Sequence, residues 1–184
     1  LVISLLLVKK RLQDVIMQNL LKKMDNCQLK YTDYDIVFQE IPNEVTLAIN
    51  LSRCPNRCEG CHSAYLMNDV GEQLTLEVID SLYEKYGSSI TCICFMGGDI
   101  APFQVAEFVR YVSEKKHLKT AWYSGKKELP KDFSLDYFNF VKIGPYIPKY
   151  GPLNCETTNQ RLYKIEGGEM LDITSLFWQK SMAM

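Results

Sequence analysis

The chain has 184 residues, 47% hydrophobic and 23% charged, with a formal net charge of −1. That length supports one domain with a real core, and so even a charge balance gives no electrostatic case for nucleic acid or an anionic membrane as partner. Seven cysteines, an odd number with no apparent secretory signal, fit metal-bound or free thiols in a reducing cytoplasm better than a disulfide scaffold.

Residues 1–29 form an N-terminal extension and 30–184 the domain proper. Leu1 to Val8 is apolar apart from Ser4 and precedes Lys9-Lys10-Arg11, the reverse of the order in a signal peptide. The run is also far shorter than the ~20 residues that span a bilayer. Leu12, Ile16, Leu20 and Met24 recur every four residues and predict an amphipathic helix, packed on the domain or part of a frayed extension rather than lying on a membrane. Lys30 to Glu40 carries the aromatic and β-branched residues of a short strand, and Ile41-Pro42-Asn43 turns the chain. Val45 to Leu51 is a buried strand. Leu74 to Tyr86 is a helix, with Thr75 as cap, Val78, Ile79 and Leu82 as apolar stripe and Gly87 as stop.

Ile90 to Met96 is the next strand. Its alternation sends Cys92, Cys94 and Met96 to one side and Ile93 and Phe95 to the other, so both faces are apolar, as in a covered parallel strand. Cysteines alternating within such a strand are small core residues rather than ligands. A helix over Phe103–Lys115 follows, then strands at Lys119–Tyr123, Tyr137–Ile143 and Arg161–Ile165. Strands alternating with helices at this spacing predict an α/β fold with a parallel sheet and right-handed crossovers.

Three segments of this frame carry chemistry. Cys54, Cys58 and Cys61, spaced C-x3-C-x2-C, lie in the loop after the first core strand, and the carboxyl ends of strands are where α/β folds place their sites. Three thiolates can hold three corners of an iron–sulfur cubane and leave the fourth iron open. A zinc site would want a fourth ligand, for which His62 is poorly placed. A redox pair of Cys58 and Cys61 leaves Cys54 without a role. Chance clustering is the remaining alternative. Gly97-Gly98-Asp99 closes the Ile90–Met96 strand, where glycines let backbone approach a ligand. The third segment, Gly151 to Arg161, is polar and begins without strand or helix periodicity, which by itself describes a surface loop.

Together these segments resemble the radical S-adenosylmethionine (radical SAM) enzymes, and Gly151–Arg161 resembles the activating proteins of anaerobic ribonucleoside-triphosphate reductase. The resemblance spans roughly residues 30 to 180. It implies an open, partial (β/α) barrel of radical SAM type. It also implies two cofactors, a [4Fe-4S] cluster on Cys54, Cys58 and Cys61 and S-adenosyl-L-methionine at the open iron. The expected activity is reductive cleavage of S-adenosylmethionine and formation of a glycyl radical on the reductase, with a flavodoxin- or ferredoxin-type electron donor. Gly97, Gly98 and Asp99 are expected at the methionyl amino group through backbone oxygens. Gly60 stands where many relatives carry an aromatic residue, so Gly60, Cys61 and His62 are the expected surroundings of the adenine. Ser124 either meets the ribose or caps a turn. The segment at Asn154–Arg161 is expected near the radical or the partner, and Cys155 is not expected to be a ligand. Pyruvate formate-lyase activation and a small-molecule radical enzyme share the same cofactors. An electron carrier or a metal-stabilised binding module is the alternative of another class.

Overall fold

A computed structural model describes residues 28–178; the helix expected within 12–24 and Cys27 lie outside the described residues. The elements are β1 (Lys30–Val37), β2 (Thr46–Leu51), β3 (Glu72–Gln73), α1 (Leu76–Tyr86), β4 (Cys92–Met96), α2 (Pro102–Tyr111), β5 (Lys119–Tyr123), β6 (Phe140–Ile143), β7 (Arg161–Glu166) and β8 (Glu169–Asp172). The described strands form one sheet in the order β3-β1-β2-β4-β5-β6-β7-β8. Its centre is parallel: β2 pairs with β4, β4 with β5 and β5 with β6. Both flanks are antiparallel, with β3 and β1 on one side and β7 and β8 on the other.

The fold is therefore mixed α/β, and two expectations need correction. Strand–helix alternation holds from β2 to β5 only, because residues 124–139, which lead to β6, contain no helix. The strand expected at 161–165 is present but runs antiparallel to β6. It continues through Gly167-Gly168, both at positive φ (59° and 85°), into β8. Two central residues at positive φ give the tight turn that matches the twist of a two-stranded hairpin.

Local chemistry explains the helix limits. The extended backbone of Thr75 starts α1 one residue later, and its hydroxyl accepts the Val78 N–H at 3.3 Å. Leu74 is outside the helix because its N–H pairs with the Leu29 carbonyl. Gly87 ends α1 in a right-handed conformation; a Cβ there would lie 2.6 Å from the Tyr83 carbonyl oxygen. Regular α2 stops at Tyr111 and widens into a π-turn over Val112–Lys116, closed by His117 at φ 54°.

The alternation along β4 divides the core as expected. Ile93 and Phe95 join the main cluster with Ile79 and Leu82 of α1 and Phe108 and Val109 of α2. Cys92 and Cys94 face the other side with Ile41, Ala121, Phe140 and Leu162. Ile41 gets there because the chain after β1 folds across that face. Four parallel strands bring four loops to one end of the sheet, those after Leu51, Met96, Tyr123 and Ile143. No described helix is long and apolar enough to cross a membrane.

Candidate functional site

The cysteine loop is closed at its base. The Arg53 N–H bonds the Asn68 carbonyl at 3.0 Å, the Cys54 N–H bonds Leu66 at 2.8 Å, and the Ser52 hydroxyl donates to the Val70 carbonyl at 2.6 Å. Between these ties the backbone turns left-handed at Arg53, Arg57 and Gly60 (φ 60°, 47° and 66°). That folding brings Cys54, Cys58 and Cys61 to the wall of one cavity of about 480 Å³. All three are half-buried free thiols. Gly97 and Asp99 from the β4 loop, Gly125 from the β5 loop, and Lys142 and Gly144 at the end of β6 share that wall.

Asp99 is the fastener between these loops. Its Oδ2 accepts from Asn56 Nδ2 at 2.5 Å and from the Gly125 N–H at 2.8 Å, and its Oδ1 accepts from the Ser124 hydroxyl at 2.5 Å. Asn56 Nδ2 also lies 3.6 Å from Cys54 Sγ. Ser124 is buried, and its oxygen also accepts the Lys126 N–H, so it closes the turn, while Gly125 is the residue on the cavity wall. The glycines of the motif are demanded by packing. A Cβ on Gly98 (φ 86°) would meet Val105 Cγ2 at 2.6 Å and Leu51 Cδ1 at 2.9 Å. The Gly97 carbonyl accepts the Trp122 indole N–H at 2.7 Å and the Gly98 carbonyl accepts the Ala101 N–H at 2.9 Å. Gly97, which lines the cavity, keeps a second carbonyl lone pair for a ligand.

Lys142 was missed by sequence reasoning. It is 7% exposed near the end of β6, where its ammonium donates to the Gly144 carbonyl at 2.8 Å. Burial pulls its pKa down to about 8, against the opposing pull of Asp99 first and then Cys58, Cys61 and Cys54. One buried cation thus feels Asp99 and all three thiols. The available signal was a lysine between Val141 and Ile143 in an otherwise apolar strand, a position where an unpaired charge is rarely tolerated.

His62 is exposed and stands edge-on to Tyr146, with ring centroids 5.8 Å apart; both line the cavity. A Cβ on Gly60 would lie 3.6 Å from Tyr146 Cε1. An aromatic ring therefore does stand beside position 60, but it comes from the loop after β6.

The late segment packs back on the same end of the sheet. Thr158 and Gln160 are buried, Asn159 Nδ2 donates to the Pro145 carbonyl at 2.8 Å, and the Asn159 backbone carbonyl oxygen would lie 3.1 Å from a Cβ on Gly144. Gln160, Pro152 and Leu153 reach the cavity. Cys155 does not line it and is turned towards Gly151. Cys92 and Cys94 are fully buried, and burial pushes both thiols well above their ordinary range. They are core residues.

Among the described residues, no three His, Cys, Asp or Glu side chains converge closely enough to hold a single metal ion. Zinc would draw its thiolates in to about 2.3 Å from one centre. Three free thiols on one cavity wall are the donor type that a [4Fe-4S] cluster takes. No protein-family model, curated protein or solved structure matches the chain.

Proposed function

We propose that this cavity is the site of a radical SAM activase that forms a glycyl radical on anaerobic ribonucleoside-triphosphate reductase. The observation that carries the reading is the meeting of Cys54, Cys58 and Cys61 with Gly97 and Lys142 on one cavity. Cys54, Cys58 and Cys61 would hold a [4Fe-4S] cluster, and S-adenosyl-L-methionine would lie over the Gly97-Gly98 turn. With an electron from a flavodoxin- or ferredoxin-type donor, these groups would supply reductive sulfonium cleavage and hydrogen abstraction from glycine.

The chain's own residues position and balance charge. Lys142 offsets the negative charge of thiolates and of Asp99 inside a poorly hydrated wall. Asp99 and Asn56 hold the cysteine loop at a fixed distance from the β4 turn. Gly97 and Gly98 let the turn after β4 pack on Leu51 and Val105, which a Cβ at either position would crowd. Gly60, His62 and Tyr146 border the cavity where a flat base can stack. The parallel centre of the sheet, with its loops gathered at the carboxyl ends, supports an open, shortened (β/α) barrel in which β1, β7 and β8 stand in for missing units.

A pyruvate formate-lyase activator or a small-molecule radical enzyme would use the same centre. The Thr157-Thr158-Asn159-Gln160-Arg161 segment, through its resemblance, favours the reductase. An electron carrier has no use for a cavity of about 480 Å³ beside its sulfurs. The test incubates reduced, reconstituted protein and S-adenosylmethionine separately with the reductase and with the lyase. A glycyl-radical signal in electron paramagnetic resonance on the reductase supports the proposal, and a signal on the lyase alone reassigns the substrate.

A further inference from the structure

The amide nitrogen of Asn56 has two neighbours of different kinds, Asp99 Oδ2 at 2.5 Å and Cys54 Sγ at 3.6 Å. A side-chain amide nitrogen carries two hydrogens, so it can donate to both at once. A carboxylate only accepts, and Asp99 therefore fixes the nitrogen of that amide, not its oxygen, at the junction. Asp99 is itself held by the Ser124 hydroxyl and the Gly125 N–H. Gly125 also provides the space, because a Cβ there would lie 2.3 Å from Asn56 Nδ2. Groups from two further loops thus aim one N–H of the cysteine loop at one of its own thiols.

We infer that the Asn56 amide donates a hydrogen bond to the Cys54 thiolate and raises the reduction potential of the cluster that Cys54, Cys58 and Cys61 would hold. The inference rests on the activase reading and adds to it the residue that tunes its electron-accepting step. One electron from the flavodoxin- or ferredoxin-type donor adds negative charge that the cysteine sulfurs share, and no bond is made or broken. An N–H aimed at a sulfur stabilises that added charge more than it stabilises the oxidised state, so the potential rises. The thiol is half-buried, which strengthens the contact relative to one in open water. Asp99 works the other way as a negative charge, so the two residues have opposite effects although they form one junction. Asn56 acts through Cys54 and is a positioning residue.

The experiment is a redox titration, followed by electron paramagnetic resonance, of the anaerobically reconstituted protein and its Asn56→Leu, Asn56→Ala and Asp99→Asn variants. Iron content and circular dichroism establish cluster and fold in each; leucine keeps the shape of asparagine without its N–H. Both Asn56 variants should lower the equilibrium constant for one-electron reduction about tenfold, which is a midpoint about 59 mV more negative. Asp99→Asn loosens the same junction but removes a negative charge, and should not lower the midpoint. A wild-type midpoint in a cluster-loaded Asn56 variant, or an equal fall in Asp99→Asn, overturns the inference and leaves the activase reading in place. Loss of the cluster from both Asn56 variants overturns it as well, since the residue would then be a structural support alone. If the unmodified protein takes up no iron–sulfur cluster, the activase reading falls, and this inference with it.

Discussion

Asn56 donates from Nδ2 to Asp99 Oδ2 at 2.5 Å, joining the loop that carries the three cysteines to the turn at the end of β4. Because Asp99 also accepts from Ser124 and Gly125, one carboxylate fixes three of the loops that build the cavity. Removing it strands donors in a partly buried place, and each stranded group costs about 1–3 kcal/mol. Asp99→Ala should therefore lower stability by about 2–4 kcal/mol, and Asn56→Ala by about 1–2 kcal/mol. Urea unfolding of the metal-free protein checks both. The double variant should be less destabilised than the sum, by about 1 kcal/mol, because the two act through one contact.

Lys142 gives a different kind of prediction, about function rather than folding. Methionine is of similar length and suits the buried slot, and replacing a buried charged group by an apolar one is often tolerated. Lys142→Met should fold, as judged by circular dichroism, yet cleave S-adenosylmethionine about ten- to hundredfold more slowly, the loss expected for one charge-assisted contact. Unchanged cleavage would remove Lys142 from the site's electrostatics.

Asp33 links the turn after the cysteines to the sheet and makes that link sensitive to acid. It accepts from Asn50, from the Thr32 hydroxyl at 2.8 Å and from the Tyr65 hydroxyl at 3.0 Å. Partial burial pushes its pKa up, but hydrogen bonds from Asn50, then Thr32 and Tyr65, together outweigh that and hold it below the ordinary value. In the unfolded chain the group returns to about 3.9. The unfolded state then binds more protons than the native state between the two values, so stability rises with pH across that window. The contribution is complete above the unfolded value and is lost as pH falls through the folded one. Asp33 is largely exposed, which limits the effect to under about 1 kcal/mol. Melting temperatures of wild type and Asp33→Asn should differ at pH 7 and converge as pH drops below about 4.

The parts legible in the sequence are those in which local pattern and final environment coincide. Thr46–Leu51 and Lys119–Tyr123 are apolar runs that became central strands. The alternation of Cys92 and Cys94 against Ile93 and Phe95 matched the two core clusters it separates. The cysteine spacing marked a loop that the structure does place on a cavity. Strand direction was not legible, because a strand's composition does not encode which way its neighbour runs. For β7 the missed signal was Gly167-Gly168, a hairpin turn that fixes the pairing of β7 with β8.

Contacts between distant residues were equally hidden. Nothing in the sequence links Asn56 to Asp99, 43 positions later, and the role of Asp99 as a fastener appears only once β2 and β4 lie side by side. Glu40 read as the polar end of a strand, whereas β1 stops at Val37 and the chain carries Glu40 to the cavity. Tyr146, far along the chain from Gly60, brings to that position the ring that the motif itself lacks.

Anaerobic reconstitution with iron and sulfide, followed by reduction in the presence of S-adenosylmethionine, tests the central claim most directly. The account predicts about four irons per chain and release of methionine with 5′-deoxyadenosine. It also predicts that Cys54→Ser, Cys58→Ser and Cys61→Ser each lose both cluster and cleavage, while Cys155→Ser keeps them. Stoichiometric zinc in place of iron, with no cleavage product, would contradict it.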